Sequence, residues 1–468
     1  MPAPSVAGRI VTIASALVLI AVAILLVQLH TDEPLAGLES PERALALIVG
    51  RTMDLEAALA GAPAWERRLY ALTLADADSE IGQAIDWYDE LATYSLTPEV
   101  DLRLAILLGE GGRRERLEQT LRHWRTRGEP LASHGQVLAA AYLGADALDI
   151  AGASQTLGAL GPGWFADVLA LRVATRLDDP MVAATARAAI AARAGPLLWR
   201  LRALAALDIG LTVLGIVALR ALRRRPPDGW PAMGGAPLPP PWSLGAGLAA
   251  LVRGGALAAL VLLTLLVGGH WLAVPPLLID ALDQPLMYLP LLLLVWRTLL
   301  APAGLGFVTA FGLRPRAAGW RPCVQATLAL VAAGIAIDLG LGLLGGPLGL
   351  TSHWAEWFDE GLAWGSPRTV AVTLLGSIVF APIFEELVFR GLLYGTLRAR
   401  LGWPLAAVGS ALVFALAHGY GVAGLLSVFL SGLLWAWVYE RTGSLLAPIL
   451  AHVVNNAAVA VALTALLR

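Results

Sequence analysis

The chain has 468 residues, a mean hydropathy of +0.70, 57% hydrophobic and 15% charged residues, and a formal net charge of -2. That composition excludes an ordinary soluble globule and describes a protein that crosses a bilayer many times. The near-zero charge offers no field for nucleic acid, and the single cysteine, Cys323, excludes a disulfide framework, a cysteine-rich zinc site and intrachain thiol redox chemistry.

The first apolar run, Ile10 to Val27, follows Arg9 and is longer than a usual signal-peptide core. It is expected to be an uncleaved signal anchor within residues 1–30, with a cleaved signal peptide as the alternative. Charged residues return over 31–200, and apolar positions recur at helical spacing: Ala44, Leu45, Leu47 and Ile48, then Ile85, Tyr88 and Leu91, then Leu102, Leu104, Ile106 and Leu107. Breaks at Gly61-Ala-Pro63, Thr97-Pro98, Gly111-Gly112, Gly128-Glu-Pro130 and Gly161-Pro-Gly163 cut this region into helices of roughly 12–18 residues. Short helices in series fit either a repeat module, loosely like tetratricopeptide hairpins, or a plain helical bundle.

Leu204 to Leu222 forms a second span, closed by Arg220 and Arg223 to Arg225, and completes a 201–242 segment with the Pro- and Gly-rich linker Pro226 to Pro241. That linker is expected to be unstructured. Further apolar runs near 248–270, 284–301, 322–345, 369–397, 404–419, 421–439 and 445–466 bring the expected total to nine spans. The fold class is therefore all-α: a polytopic membrane helical bundle over 243–468, with an N-terminal extramembrane helical domain. The basic loops (Arg220 to Arg225, Arg297 to Arg321, Arg398 with Arg400, and Arg441) alternate with loops poor in arginine. By the positive-inside rule they are cytoplasmic, which places residues 31–200 outside a bacterial inner membrane.

The stretch Ser377-Ile-Val-Phe-Ala-Pro-Ile-Phe-Glu-Glu-Leu-Val-Phe-Arg-Gly391 sits in one of these runs, yet carries Glu385, Glu386 and Arg390. Each charge at mid-membrane costs roughly 2.5–3.5 kcal/mol on insertion scales, so the three either hold helices together or do chemistry. Glu386 and Arg390, four apart, meet on one helical face, whereas Glu385 is turned by about 100 degrees and is free to face another helix. A poorly solvated carboxylate suits a general base for water. Downstream, Phe414 pairs with His418 and His452 with Asn456, each at four-residue spacing. A lone histidine in an apolar helix is more often a satisfied core residue than a ligand or base. Here two of them, a carboxylate and an asparagine fall in the last quarter of the chain. His452 and Asn456 offer two donors for a developing oxyanion.

Glu385-Glu386-x-x-x-Arg390, Phe414-x-x-x-His418 and His452-x-x-x-Asn456, in order on successive apolar helices, resemble the CPBP intramembrane proteases. That family includes CAAX-type prenyl endopeptidases and bacteriocin-processing or immunity proteins. The resemblance covers about 368–460 and extends to a core at about 300–466, where Phe311-Gly-Leu-Arg-Pro-Arg316 looks like a pre-core loop. It implies hydrolysis of peptide bonds in a membrane-associated substrate. Glu385 would activate water with help from His418, His452 and Asn456 would sit at the oxyanion, and Glu386, Arg390 and Phe414 would support them. No cofactor is expected. Were zinc present, Glu385, His418 and His452 would be its ligands, but the local His-Glu-x-x-His spacing of a recognisable zinc site is missing. Two rivals stand beside the protease: a non-catalytic scaffold or immunity-type binding protein, and a transporter. Residues 31–200 would hold any protein partner. One difficulty is depth. His418 lies about 21 Å along its span and His452 about 10 Å from the cytoplasmic end of its own, and upright helices would keep them apart.

Overall fold

The structure is a computed structural model that describes residues 6–32, 35, 37–73, 77–144, 149–224, 232–268, 274–315, 319–350 and 352–468. Among these residues every regular element is helical. The chain forms two compact units, one of residues up to Gly37 with Ala206–Thr464, the other of Leu38–Ala205 with Ala465–Arg468.

The second unit holds the helices Pro41–Ala60, Ala64–Thr73, Ala77–Tyr94, Pro98–Glu110, Arg114–Arg127, Leu131–Leu138, Ile150–Leu160 and Trp164–Leu177; the five anticipated breaks all fall between helices, and the separations after Thr73 and before Ile150 were not anticipated. Pro98 opens its helix, where its missing N–H is no loss. Gly112 and Gly128 adopt positive φ just after helices, a conformation that favours glycine. The periodic positions Ala44, Leu45, Ile48, Ile85, Tyr88, Leu91, Leu102, Ile106 and Leu107 are buried, as amphipathic helices require. Most consecutive helices pack on one another, and Pro41–Ala60 also packs on Trp164–Leu177. That contact joins helices far apart in the chain, whereas in an open repeat array each unit touches only its neighbours.

An ionic cluster ties this bundle together. Arg193 donates to Asp54 at 2.7 and 3.1 Å and to Asp167 at 2.6 Å. Asp54 is buried, and burial holds its carboxyl above the ordinary range, opposed by the pull of Arg193.

Among the described residues eight helices are long and apolar enough to cross a membrane: Val6–Leu25, Pro180–Arg223, Leu244–Leu265, Pro276–Ala303, Trp320–Gly345, Pro367–Arg398, Val422–Thr442 and Leu446–Leu467. The helix Pro180–Arg223 runs through the boundary between the units. The run near 404–419, expected as the seventh of nine spans, is instead the 14-residue helix Trp403–Leu416. At 1.5 Å per residue it is about 21 Å long, short of a hydrocarbon core of about 30 Å. Pro404 fixes its start, and Gly419, at φ +67°, turns the chain back into the next helix.

The linker expectation also needs correcting. Residues 226–231 lie outside the described residues, but 232–241 is docked. Met233 and Gly234 donate to the carbonyl of Thr442 at 2.9 and 3.2 Å, Ala236 to that of Gly443 at 3.1 Å, and Met233 is buried. A Cβ on Gly234 would stand 2.2 Å from the Gly443 carbonyl oxygen, so glycine permits this backbone-on-backbone approach. Ser444 Oγ donates to Gly312 O at 2.7 Å, and Leu445 N to Phe311 O at 3.1 Å. The turn before the last helix is thereby clamped from two sides.

Arg193→Met leaves Asp54 buried without its cation. We expect it to destabilise the Leu38–Ala205 unit by about 2–3 kcal/mol. Faster amide hydrogen exchange in Pro41–Ala60 of the intact protein is the readout; unchanged protection would show that the cluster is dispensable.

Candidate active site

The motif helix Pro367–Arg398 is not uniformly α-helical. Pro382 has no N–H to donate to residue 378, and the turn before it, Leu375–Phe380, widens to π-type hydrogen bonding. A second π stretch spans Glu386–Tyr394 and carries the charged pair.

Glu386 and Arg390 are both 0% exposed, and Arg390 Nη1 donates to Glu386 Oε1 at 2.8 Å. The rest of the guanidinium has no hydrogen-bond acceptor: its Nε and Nη2 are unpartnered. Aromatic faces take their place. The guanidinium carbon lies 3.9 Å from the Phe414 ring centre and 4.9 Å from that of Trp435. This pocket is full: a Cβ on Gly432 would stand 2.7 Å from Arg390 Nη2. From the other side, a Cβ on Gly391 would meet the Phe311 ring at 2.8 Å. The Phe311–Arg316 segment thus packs directly beneath the motif, with Arg316 itself outside the described residues.

Glu386 makes a second contact, to His452 Nδ1 at 3.1 Å from the same Oε1. The far nitrogen, Nε2, is 3.7 Å from Glu385 Oε2. Trp435 stacks on the His452 ring with centres 4.4 Å apart, and Phe414 meets it edge-on at 6.0 Å. Phe414 also touches the His418 ring at 4.6 Å. His418 Nδ1 lies 2.8 Å from the Phe414 carbonyl, which can only accept, so Nδ1 carries the hydrogen and Nε2 the lone pair. Asn456 Nδ2 donates to Ser377 O at 2.8 Å, spending one of its two N–H groups.

Glu385, His418, His452 and Asn456 line one cavity of about 650 Å³, together with Phe414 and Trp435. All the motif residues of the sequence thus come together. The two histidines nevertheless converge: His418 sits in the turn beyond Trp403–Leu416, and Phe414 touches both its ring and that of His452. Trp435 and Ser377 were not anticipated as neighbours of the site. Trp435 belongs to no spaced motif, and Ser377 contributes only a backbone carbonyl. Metal ligation fits poorly. Among the described residues no three His, Cys, Asp or Glu side chains are placed to hold one ion.

Residues 367–458 match the family model described as type II CAAX prenyl endopeptidase Rce1-like. An uncharacterized 24.3 kDa protein of Escherichia coli is 32% identical over 171 residues, covering 36% of this chain and 72% of that protein. The chain belongs to the Rce1-like family. A Bacillus subtilis (strain 168) protein named "Putative membrane peptidase YdiL" is 29% identical over 89 residues, 19% of this chain and 36% of that protein. No solved structure matches. The Rce1-like family is one of CAAX-type membrane proteases, and with eight membrane-length helices among the described residues this member is an integral membrane protein. The family model begins at the start of the motif helix, so the Leu38–Ala205 unit lies wholly outside the Rce1-like region.

Arg390→Ala would leave Glu386 buried and without its cation, at a cost of about 3–5 kcal/mol. Replacing both by leucine should recover part of that loss. Thermal unfolding in detergent reads the two variants, and a double variant no more stable than Arg390→Ala would contradict the pairing.

Proposed function

We propose that this protein hydrolyses peptide bonds of membrane-associated proteins or peptides, with Glu385 as the general base for water. The observation that carries the reading is the convergence of Glu385, His418, His452 and Asn456 on a single cavity. Glu385 Oε2 is buried without a hydrogen-bond partner, which leaves it an acceptor for water. His418, with its lone pair on Nε2, helps orient that water. A water proton passes to Glu385 as the oxygen attacks the carbonyl carbon, and the carbonyl electron pair moves onto its oxygen.

The second N–H of Asn456 and Nε2–H of His452 stabilise this oxyanion. Collapse of the intermediate breaks the C–N bond, and the leaving amine takes the proton held by Glu385. Every step uses the chain's own residues, and no metal is invoked.

Cleavage of a membrane-anchored peptide by purified protein tests this. Glu385→Gln should lower kcat by about 10²–10⁴-fold and Asn456→Ala by about 10²–10³-fold, while exhaustive chelation leaves the rate unchanged. Full activity in Glu385→Gln would sink the mechanism, and loss on chelation would restore the zinc alternative. A partner bound but never cut would favour the scaffold.

The distribution of arginine further supports a bacterial inner-membrane setting with residues 31–200 on the outer side, where they would select or present substrates. A cysteine introduced at the exposed Ser154, in a Cys323→Ala background, should react with a membrane-impermeant maleimide in spheroplasts. Labelling only after lysis would reverse the orientation.

A further inference from the structure

The cavity that holds Glu385 carries more negative charge than hydrolysis requires. Asp338, Glu356 and Asp359 also line it, and among the described residues no arginine does. These three carboxylates come from different places: Asp338 from the helix Trp320–Leu348, Glu356 and Asp359 from the segment that follows it. Their partners are all neutral donors. Ser427 Oγ donates to Asp338 at 2.5 Å, the backbone N–H groups of Gly421 and His353 to Glu356 at 3.0 and 3.1 Å, and that of Leu362 to Asp359 at 2.7 Å. Glu385 Oε2 adds a buried acceptor with no hydrogen-bond partner.

We propose that this cavity selects peptides bearing arginine or lysine close to the scissile bond, with Asp338, Glu356 and Asp359 as the specificity-determining residues. The inference rests on the reading of the cavity as the hydrolytic site. An inorganic cation is a poor occupant, because among the described residues no three acidic or histidine side chains are placed to share one ion. The carboxylates are spread along a cavity of about 650 Å³, a volume suited to an organic ligand of several groups. A long basic side chain reaches such separated carboxylates while its methylene stem lies against the apolar wall of Trp357, Phe358 and Leu362. Low-dielectric walls concentrate the negative field inside the cavity, which attracts a cationic segment and rejects an acidic one.

Binding tests the proposal without relying on cleavage. Full-length Glu385→Gln protein, in nanodiscs of phosphatidylcholine, is titrated with fluorescent single-anchor peptides that differ only in arginine, glutamine or glutamate at positions flanking the target bond. The arginine peptide should bind about tenfold tighter than the glutamine one, and the glutamate peptide weaker still. Asp338→Asn on the same background, which keeps an acceptor for Ser427, should reduce the arginine-to-glutamine ratio to about threefold or less. Asp359→Asn, which keeps the cap on Leu362, should reduce it as well and serves if the first variant does not fold. Equal binding of the arginine and glutamine peptides, or a ratio unmoved by both substitutions, overturns the proposal. If wild-type protein cuts none of the peptides but the binding preference holds, the charge selection stands and the hydrolytic reading fails.

Discussion

A single buried ion pair organises the membrane core. Glu386 and Arg390 are fully removed from solvent, and each would be intolerable there without the other. Their bond is only part of the arrangement. Arg390 lies against Phe414 and Trp435, so one guanidinium draws together the motif helix, the short helix and the helix Val422–Thr442. Glu386 reaches His452 and brings in the last helix. Four helices therefore meet at one charged pair, and the orientation of Glu385 follows, because its neighbour in sequence is held.

Around that pair the helices depart from ideality where their residues require it. Pro382 cannot complete an α-helical hydrogen bond, and the widened turn before it lies just ahead of Glu385. Gly432 and Gly391 lack the Cβ that would collide with Arg390 and Phe311. Trp403–Leu416 ends early, which lets His418 occupy a turn instead of a helix face. Each departure is a local matter of proline or glycine chemistry, and together they shape a cavity within the membrane unit.

The two units contrast in how polar groups are satisfied. In the Leu38–Ala205 bundle, Asp54, Arg193 and Asp167 form a hydrogen-bonded cluster with acceptors for each guanidinium edge used. In the membrane unit Arg390 has one acceptor and two aromatic faces, while Glu385 keeps an unpartnered oxygen. The first arrangement is stable in itself; the second leaves a carboxylate available to a ligand.

Much was legible in the sequence. Hydropathy placed the eight long spans, Gly and Pro punctuation placed five of the helix breaks in the N-terminal unit, and four-residue spacing paired Glu386 with Arg390 on one face. These are local properties, set by helix periodicity and by the conformational limits of two residue types. The tertiary structure alone decided the rest. A 14-residue apolar helix and a full span look alike until the turn beyond is seen, and residues 232–241 read as a linker because their hydrogen bonds go to Thr442 and Gly443, some 200 residues away. Trp435 has no spacing that ties it to His452, since a stacking contact between separate helices leaves no periodic trace. So the sequence determined which side chains are costly in a membrane and which helices carry them. Only packing determined that they share one cavity, because that depends on where helices stop and cross.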